Sequence, residues 1–184
     1  MSLYHVTAPL AATDVLRLHA GDIVRLDGVI YTLRDAGHAR LLEMLVRGEA
    51  PPVPIGGLCI YYAGPCPSAP GEVLGPCGPT SSSRMDIYTP PLIEAGMTAM
   101  IGKGKRSAQV YAAMRGRCVY FAAPGGAGIL MASHVRSCET VAFADLGTEA
   151  LRRLTVEELP LVFLFFLFCH IFQHCPYKFI SDAK

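Results

Sequence analysis

The chain has no tryptophan, and only 17% of its residues are charged. Neither sign dominates. Sixteen Lys and Arg stand against 15 Asp and Glu, a formal net charge of +1 with histidines neutral. That balance argues against a nucleic-acid partner, because such affinity comes from clustered cations facing phosphates. It equally argues against an acidic solvating tail. No apolar run approaches the roughly 20 residues that a helix needs to span a bilayer, so no membrane insertion is expected. The opening Met-Ser-Leu-Tyr-His-Val has no basic stretch leading into an apolar one, and no secretory leader is expected.

Paired cysteine motifs are also missing. Cys59, Cys66, Cys77, Cys118, Cys138, Cys169 and Cys175 include no C-x-x-C, and their number is odd. This usage fits a reducing, cytoplasmic setting in which each cysteine is a small buried hydrophobe. The spacings do not suit a zinc or cluster site built from this chain alone, and no metal ligand is expected within it.

What is present is apolar. Hydrophobic residues make up 52% of 184, enough for one folded domain with a real core. Residues 1–20 read as a weakly patterned lead-in. Two β-rich runs flank Asp27-Gly28, a pair suited to a two-residue hairpin turn, so a hairpin is expected over Gly21–Thr32. Asp35 is then placed to cap a helix with an apolar stripe of Leu41, Leu42, Leu45 and Val46, stopped by Gly48. Leu58–Tyr62 reads as a buried strand. It is followed by a long Gly-, Pro- and Ser-rich stretch, Ala63–Arg84, of a length that is usually functional.

From Met85 the pattern alternates. Helices are expected around Leu92–Ala95, from Ser107 to Met114 and over Ile129–Val135. Strands are expected at Thr98–Ile101, Cys118–Ala122 and Thr140–Ala144. The whole reads as one α/β domain with a mixed sheet. Leu161–Phe168 is eight consecutive apolar residues, better suited to a buried strand than to a membrane anchor.

Three Gly-rich loops carry the polar chemistry: Thr32–His38, Gly75–Asp86 and Gly102–Lys105. Glycine lets a ligand approach the backbone closely, and each loop carries a cation. Two arginines and a lysine converging on one point would hold a small dianion, since Arg grips a carboxylate with two parallel N–H···O bonds. Each piece also has a plain structural reading. Arg34-Asp35 reads as a surface ion pair worth under about 1 kcal/mol. Thr80–Ser83 reads as a loop with capping hydroxyls. Gly102–Arg106 lacks the spacing of a P-loop. Composition and spacing alone thus support a small-anion-binding α/β domain.

Longer strings carry more. Gly21-Asp22 with Thr32-Leu33-Arg34-Asp35-Ala36-Gly37-His38 resembles the start of the C-terminal half of class I, iron–sulfur fumarases and the beta subunits of L-tartrate dehydratases. Tyr62-Ala63-Gly64-Pro65, Gly75-Pro76-Cys77-Gly78-Pro79-Thr80 and Ser83-Arg84-Met85-Asp86 resemble that family's central signature. Ile101-Gly102-Lys103-Gly104, Tyr120–Ala127 and Asp145–Ala150 continue it in order. The likeness runs from about residue 10 to Pro160. It divides the chain into a family-type domain, 1–160, and an atypical apolar tail, 161–184.

The resemblance implies a swivelling β/β/α three-layer domain. It implies a hydro-lyase acting on a C4 dicarboxylate, fumarate or L-tartrate. The partner would be an alpha subunit carrying a [4Fe–4S] cluster, in an α2β2 assembly active only when both parts are present. It implies that Arg34, Arg84 and Lys103 bind substrate and that Thr80 is the base taking the proton from carbon. Asp35, His38 and Asp86 are candidate supporting groups. The alternative is a non-catalytic module that binds a dicarboxylate or phosphate.

Overall fold

A computed structural model of the chain describes residues 2–10, 13, 15 and 17–165. The order of elements is β1 (Leu3–Ala8), β2 (Ile23–Thr32), α1 (Asp35–Val46), β3 (Cys59–Tyr61), a 3-10 turn (Ser82–Met85), α2 (Thr89–Glu94) and β4 (Ala99–Gly102). There follow α3 (Ala108–Met114), β5 (Val119–Ala122), α4 (Gly128–Ser133), β6 (Val135–Ala142), a second 3-10 turn (Ala144–Glu149) and β7 (Leu151–Phe165). No helix among the described residues is long and apolar enough to cross a membrane.

The fold is mixed α/β, with seven strands in the order β1-β2-β3-β4-β5-β7-β6. Strands β1 to β5 are parallel neighbours, and β7 runs antiparallel to β2, β5 and β6. Because β7 pairs with both β2 and β5, strands β2, β3, β4, β5 and β7 close into a ring.

Alternation along the strands separates two cores. Val24, Leu26, Ile30, Tyr61, Ile101, Phe121, Leu154, Leu161 and Phe163 meet in one. Ile60, Tyr62, Met100 and Tyr120 point the other way and pack against Leu41 of α1, Leu92 and Ile93 of α2, and Val110 and Met114 of α3. Ser107 caps α3 as the sequence suggests, its Oγ accepting Val110 N–H at 3.3 Å. The stripe of α1 is narrower than expected: Leu41 is fully buried, whereas Val46 is 80% exposed.

The hairpin does not form. β2 runs straight through Asp27-Gly28, paired with β1 on one edge and β7 on the other. The left-handed conformation that Gly28 supplies (φ +101°) serves a bulge in the β2–β7 ladder, where the register shifts between Leu26 and Gly28. Asp27 Oδ1 accepts the N–H of Glu158, itself at φ +52°, at 2.7 Å. A side chain on Gly28 would begin 2.3 Å from the Ala8 carbonyl oxygen. The supposed lead-in therefore contains the strand that Gly28 must accommodate.

Two further elements differ from the sequence reading. Asp35 is the first residue of α1 and not its cap. Arg34 takes the cap position with no capping side-chain bond. The orphan N–H of Ala36 is satisfied at 2.8 Å by Glu149, far along the chain. β7 continues past Pro160 and takes up Leu161–Phe165 as strand. The remainder of the apolar tail, from residue 166, lies outside the described residues.

Candidate active site

Because β2, β3, β4 and β5 are parallel, the loops leaving their carboxyl ends lie along one rim of the ring. Arg34 follows β2, Gly64 follows β3, Lys103 follows β4 and Gly125 follows β5. The long segment 63–84 returns along this rim. Pro79 bridges Ala63, Ser81 bridges Lys103, and Thr80 N–H donates to the Tyr62 carbonyl at 2.8 Å. Thr80 is thereby fixed beside the ends of β3 and β4.

A few residues later the same segment reaches α1. Arg84 Nε donates to Asp35 Oδ1 at 2.9 Å, and Nη2 lies 2.9 Å from Oδ2 as an ion-pair contact, without a hydrogen bond to that oxygen. Asp35 adjoins Arg34, so both arginines lie at the start of α1. The rim therefore gathers Arg34, Thr80, Arg84 and Lys103. The hydroxyl of Thr80 and the ammonium of Lys103 have no hydrogen bond or ion pair to any described residue, and both residues are half-buried.

Arg34 is held from below. It lies over Gly64, where a Cβ would stand 2.9 Å from Arg34 Cδ and 2.8 Å from the Thr148 carbonyl oxygen. Its Nη2 is 3.5 Å from Glu149 Oε1, and its buried Nε has no hydrogen-bond partner among the described residues. Glu149 thus both pairs Arg34 and caps α1. Sequence reading quoted Glu149 only inside a motif string and gave it no role. Its signal is long-range and has no local pattern.

The remaining candidates sit behind the rim. His38 is fully buried between Tyr62 and Tyr88, with ring centroids 5.3 and 6.1 Å away. Burial pushes its pKa down to about 4, so the ring is neutral near pH 7. Its Nδ1 lies 2.8 Å from the Arg34 carbonyl, which can only accept, so Nδ1 carries the proton. Asp86 pairs with Arg106. Its carboxylate accepts Arg106 Nε at 2.7 Å and Ser107 N–H at 2.6 Å. Arg106, which sequence reading treated only as the end of a Gly-rich loop, is among the buried charged residues.

Three of the described cysteines lie in the core. Cys59, Cys77 and Cys118 are buried, and burial pushes the first two thiols up to about 12 and the third higher still. Among the described residues no three His, Cys, Asp or Glu are placed to hold a metal.

The chain belongs to the family Fumarase C-terminus, whose model matches residues 4–165. It is 32% identical over 152 residues to the L(+)-tartrate dehydratase subunit beta of Escherichia coli K12, covering 77% of this chain and 71% of that one. It is 38% identical over 138 residues to the aerobic class I fumarate hydratase of the same strain, covering 73% of this chain. Fumarate hydratase 2 of Leishmania major is 36% identical over 144 residues. The chain spans only 25% of the length of each of these two fumarate hydratases.

Proposed function

We propose that this chain is the beta part of a hydro-lyase that adds water to, or removes it from, a C4 dicarboxylate, fumarate or L-tartrate. The observation that carries the reading is the meeting of Arg34, Arg84, Lys103 and Thr80 on one rim of parallel strand ends. On this reading an alpha subunit completes the cleft in an α2β2 assembly and carries the [4Fe–4S] cluster, which supplies Lewis-acid chemistry at the hydroxyl. The isolated chain is inactive. The free buried thiols suit the reducing cytoplasm.

The chain's own residues perform recognition and proton chemistry. A C–H bond beside a carboxylate becomes acidic only when the charge developing on that carboxylate is neutralised. Arg34 and Arg84 present guanidinium groups suited to two-point grip of the carboxylates, and Lys103 adds a point charge. In a cleft closed to water these charges act more strongly than in solution. Thr80 takes the proton from carbon through its hydroxyl. A free hydroxyl is far too weak a base at neutral pH, so the neighbouring cations must lower its pKa. Glu149 and Asp35 hold the two arginines at the same helix start. The two cores on opposite faces of the strands support a β/β/α layering, in which the unit swivels against its partner to admit substrate.

The test is anaerobic reconstitution with a cluster-bearing partner. Fumarate hydration or L-tartrate dehydration is expected, with Arg34→Lys lowering kcat/KM about 100-fold. A cluster-loaded complex inactive on both substrates overturns the reading. Micromolar dicarboxylate or phosphate binding by the isolated chain, measured by calorimetry, favours the anion-binding module instead.

A further inference from the structure

The side chain of Arg106 has no exposure to solvent, and each of its nitrogens is engaged. Nε donates to Asp86 Oδ1 and Nη2 to Thr89 Oγ1, both at 2.7 Å. Nη1 reaches Tyr62 OH and Met100 Sδ, both at 3.2 Å. The guanidinium lies 5.1 Å from the ring centre of Tyr62 and 5.5 Å from that of Tyr120. Burying a paired charge is weak as a device for stability, because well-packed apolar residues often do as well. Its directional bonds are what apolar residues cannot replace.

Those bonds lead to both halves of the rim. Asp86 follows Arg84 by two residues, and Thr89 Oγ1 donates onward to the carbonyl of Met85 at 2.8 Å. The backbone carbonyl of Tyr62 holds Thr80. Tyr120, also beside the guanidinium, donates its hydroxyl to the Gly104 carbonyl at 2.9 Å, and Ser82 Oγ meets the same hydroxyl at 2.8 Å. Ser82 N–H closes the circuit on the Lys103 carbonyl at 2.9 Å. Gly102 permits this approach, since a Cβ there would stand 2.1 Å from Ser82 Oγ.

We infer that Arg106 is a positioning residue: a buried clamp that holds the Thr80–Arg84 segment and the Lys103 loop in one fixed register. The functional part of this inference rests on the reading of the rim as a dicarboxylate site. Lysine cannot substitute. It offers one ammonium where the fork serves Asp86, Thr89 and Tyr62 in three directions.

The experiment uses the full chain and its complex with the cluster-bearing partner. In Arg106→Lys, hydrogen exchange should quicken about tenfold in 80–88 and in 102–107 together, with β2 and β7 unchanged. In the complex, KM for the dicarboxylate should rise about tenfold while kcat changes less. Tyr120→Phe removes one hydroxyl and should loosen 102–105 with a smaller rise in KM, which keeps the test open where the lysine variant fails to fold. Unchanged exchange in either loop of Arg106→Lys, or in 102–105 of Tyr120→Phe, overturns the clamp. Loosening of both loops with KM unchanged overturns the positioning role. A wild-type complex inactive on both substrates overturns the reading of the rim, while the exchange result still decides the clamp.

Discussion

Arg84 and Asp35, 49 residues apart in sequence, face each other through two contacts of 2.9 Å. The pairing leaves Arg84 half-exposed yet anchored to the start of α1. An exposed pair of this kind adds under about 1 kcal/mol to stability. Asp35→Asn should therefore leave the thermal midpoint nearly unchanged and raise KM about tenfold, an orientation effect of ~1.4 kcal/mol. Steady-state kinetics of the reconstituted complex, beside a melting curve, check both halves. An unchanged KM removes Asp35 from any role at the site.

Glu149 does two jobs with one carboxylate, capping α1 at Ala36 and pairing Arg34. Glu149→Ala should cost about 1 kcal/mol, the usual worth of a lost helix cap. Glu149→Gln should cost less, because its amide oxygen still accepts the Ala36 N–H. Urea unfolding distinguishes them. If the glutamine variant loses as much as the alanine variant, the charge pairing outweighs the cap.

His38 makes stability depend on pH. Its folded pKa, about 4, lies below the 6.5 of an ordinary histidine, because burial opposes the charge. The unfolded chain therefore takes up the proton first. The contribution is complete above about pH 6.5 and is lost as pH falls towards 4, at up to about 1.4 kcal/mol per pH unit. Urea unfolding between pH 6.5 and 4.5 should show this slope in the wild type and a shallower one in His38→Gln. Equal slopes would mean that the histidine titrates alike in both states.

Gly64→Ala puts a methyl 2.9 Å from Arg34 Cδ and 2.8 Å from the Thr148 carbonyl oxygen. The arginine can move and the backbone cannot. The substitution should lower stability by about 1–3 kcal/mol and displace the guanidinium. A loss in kcat/KM of at least about tenfold is expected in the complex. Gly56→Ala, where nothing lies within 4 Å, is the control. Comparable activity in the two variants would show that Arg34 does not need its glycine seat.

Short-range chemistry was the legible part of the sequence. Ser107 does cap α3, and Gly48, at φ +69°, follows the end of α1. What sequence reading missed was long-range. Asp27-Gly28 has the chemistry of a turn, but pairing with β1 and β7 on both edges makes it the partner of a bulge. The same bulge hides β7. Leu154 and Val156 point into the core, and after Glu158 the phase shifts so that Leu159, Leu161 and Phe163 do so. The glycine-rich strings singled out Arg34, Thr80, Arg84 and Lys103, and the segments that carry them lie along one rim. Arg106 and Glu149 were not singled out, because their partners lie in distant segments.

Ring closure has a consequence for the order of synthesis. Arg34, Thr80, Arg84 and Lys103 all leave the ribosome before Leu151–Phe165, the stave that joins β2 to β5, has been made. A nascent chain thus displays all four candidate side chains on an open, unsealed sheet whose paired edges still await their last member. The ring can close only once Leu151–Phe165 has been made and has paired with both β2 and β5.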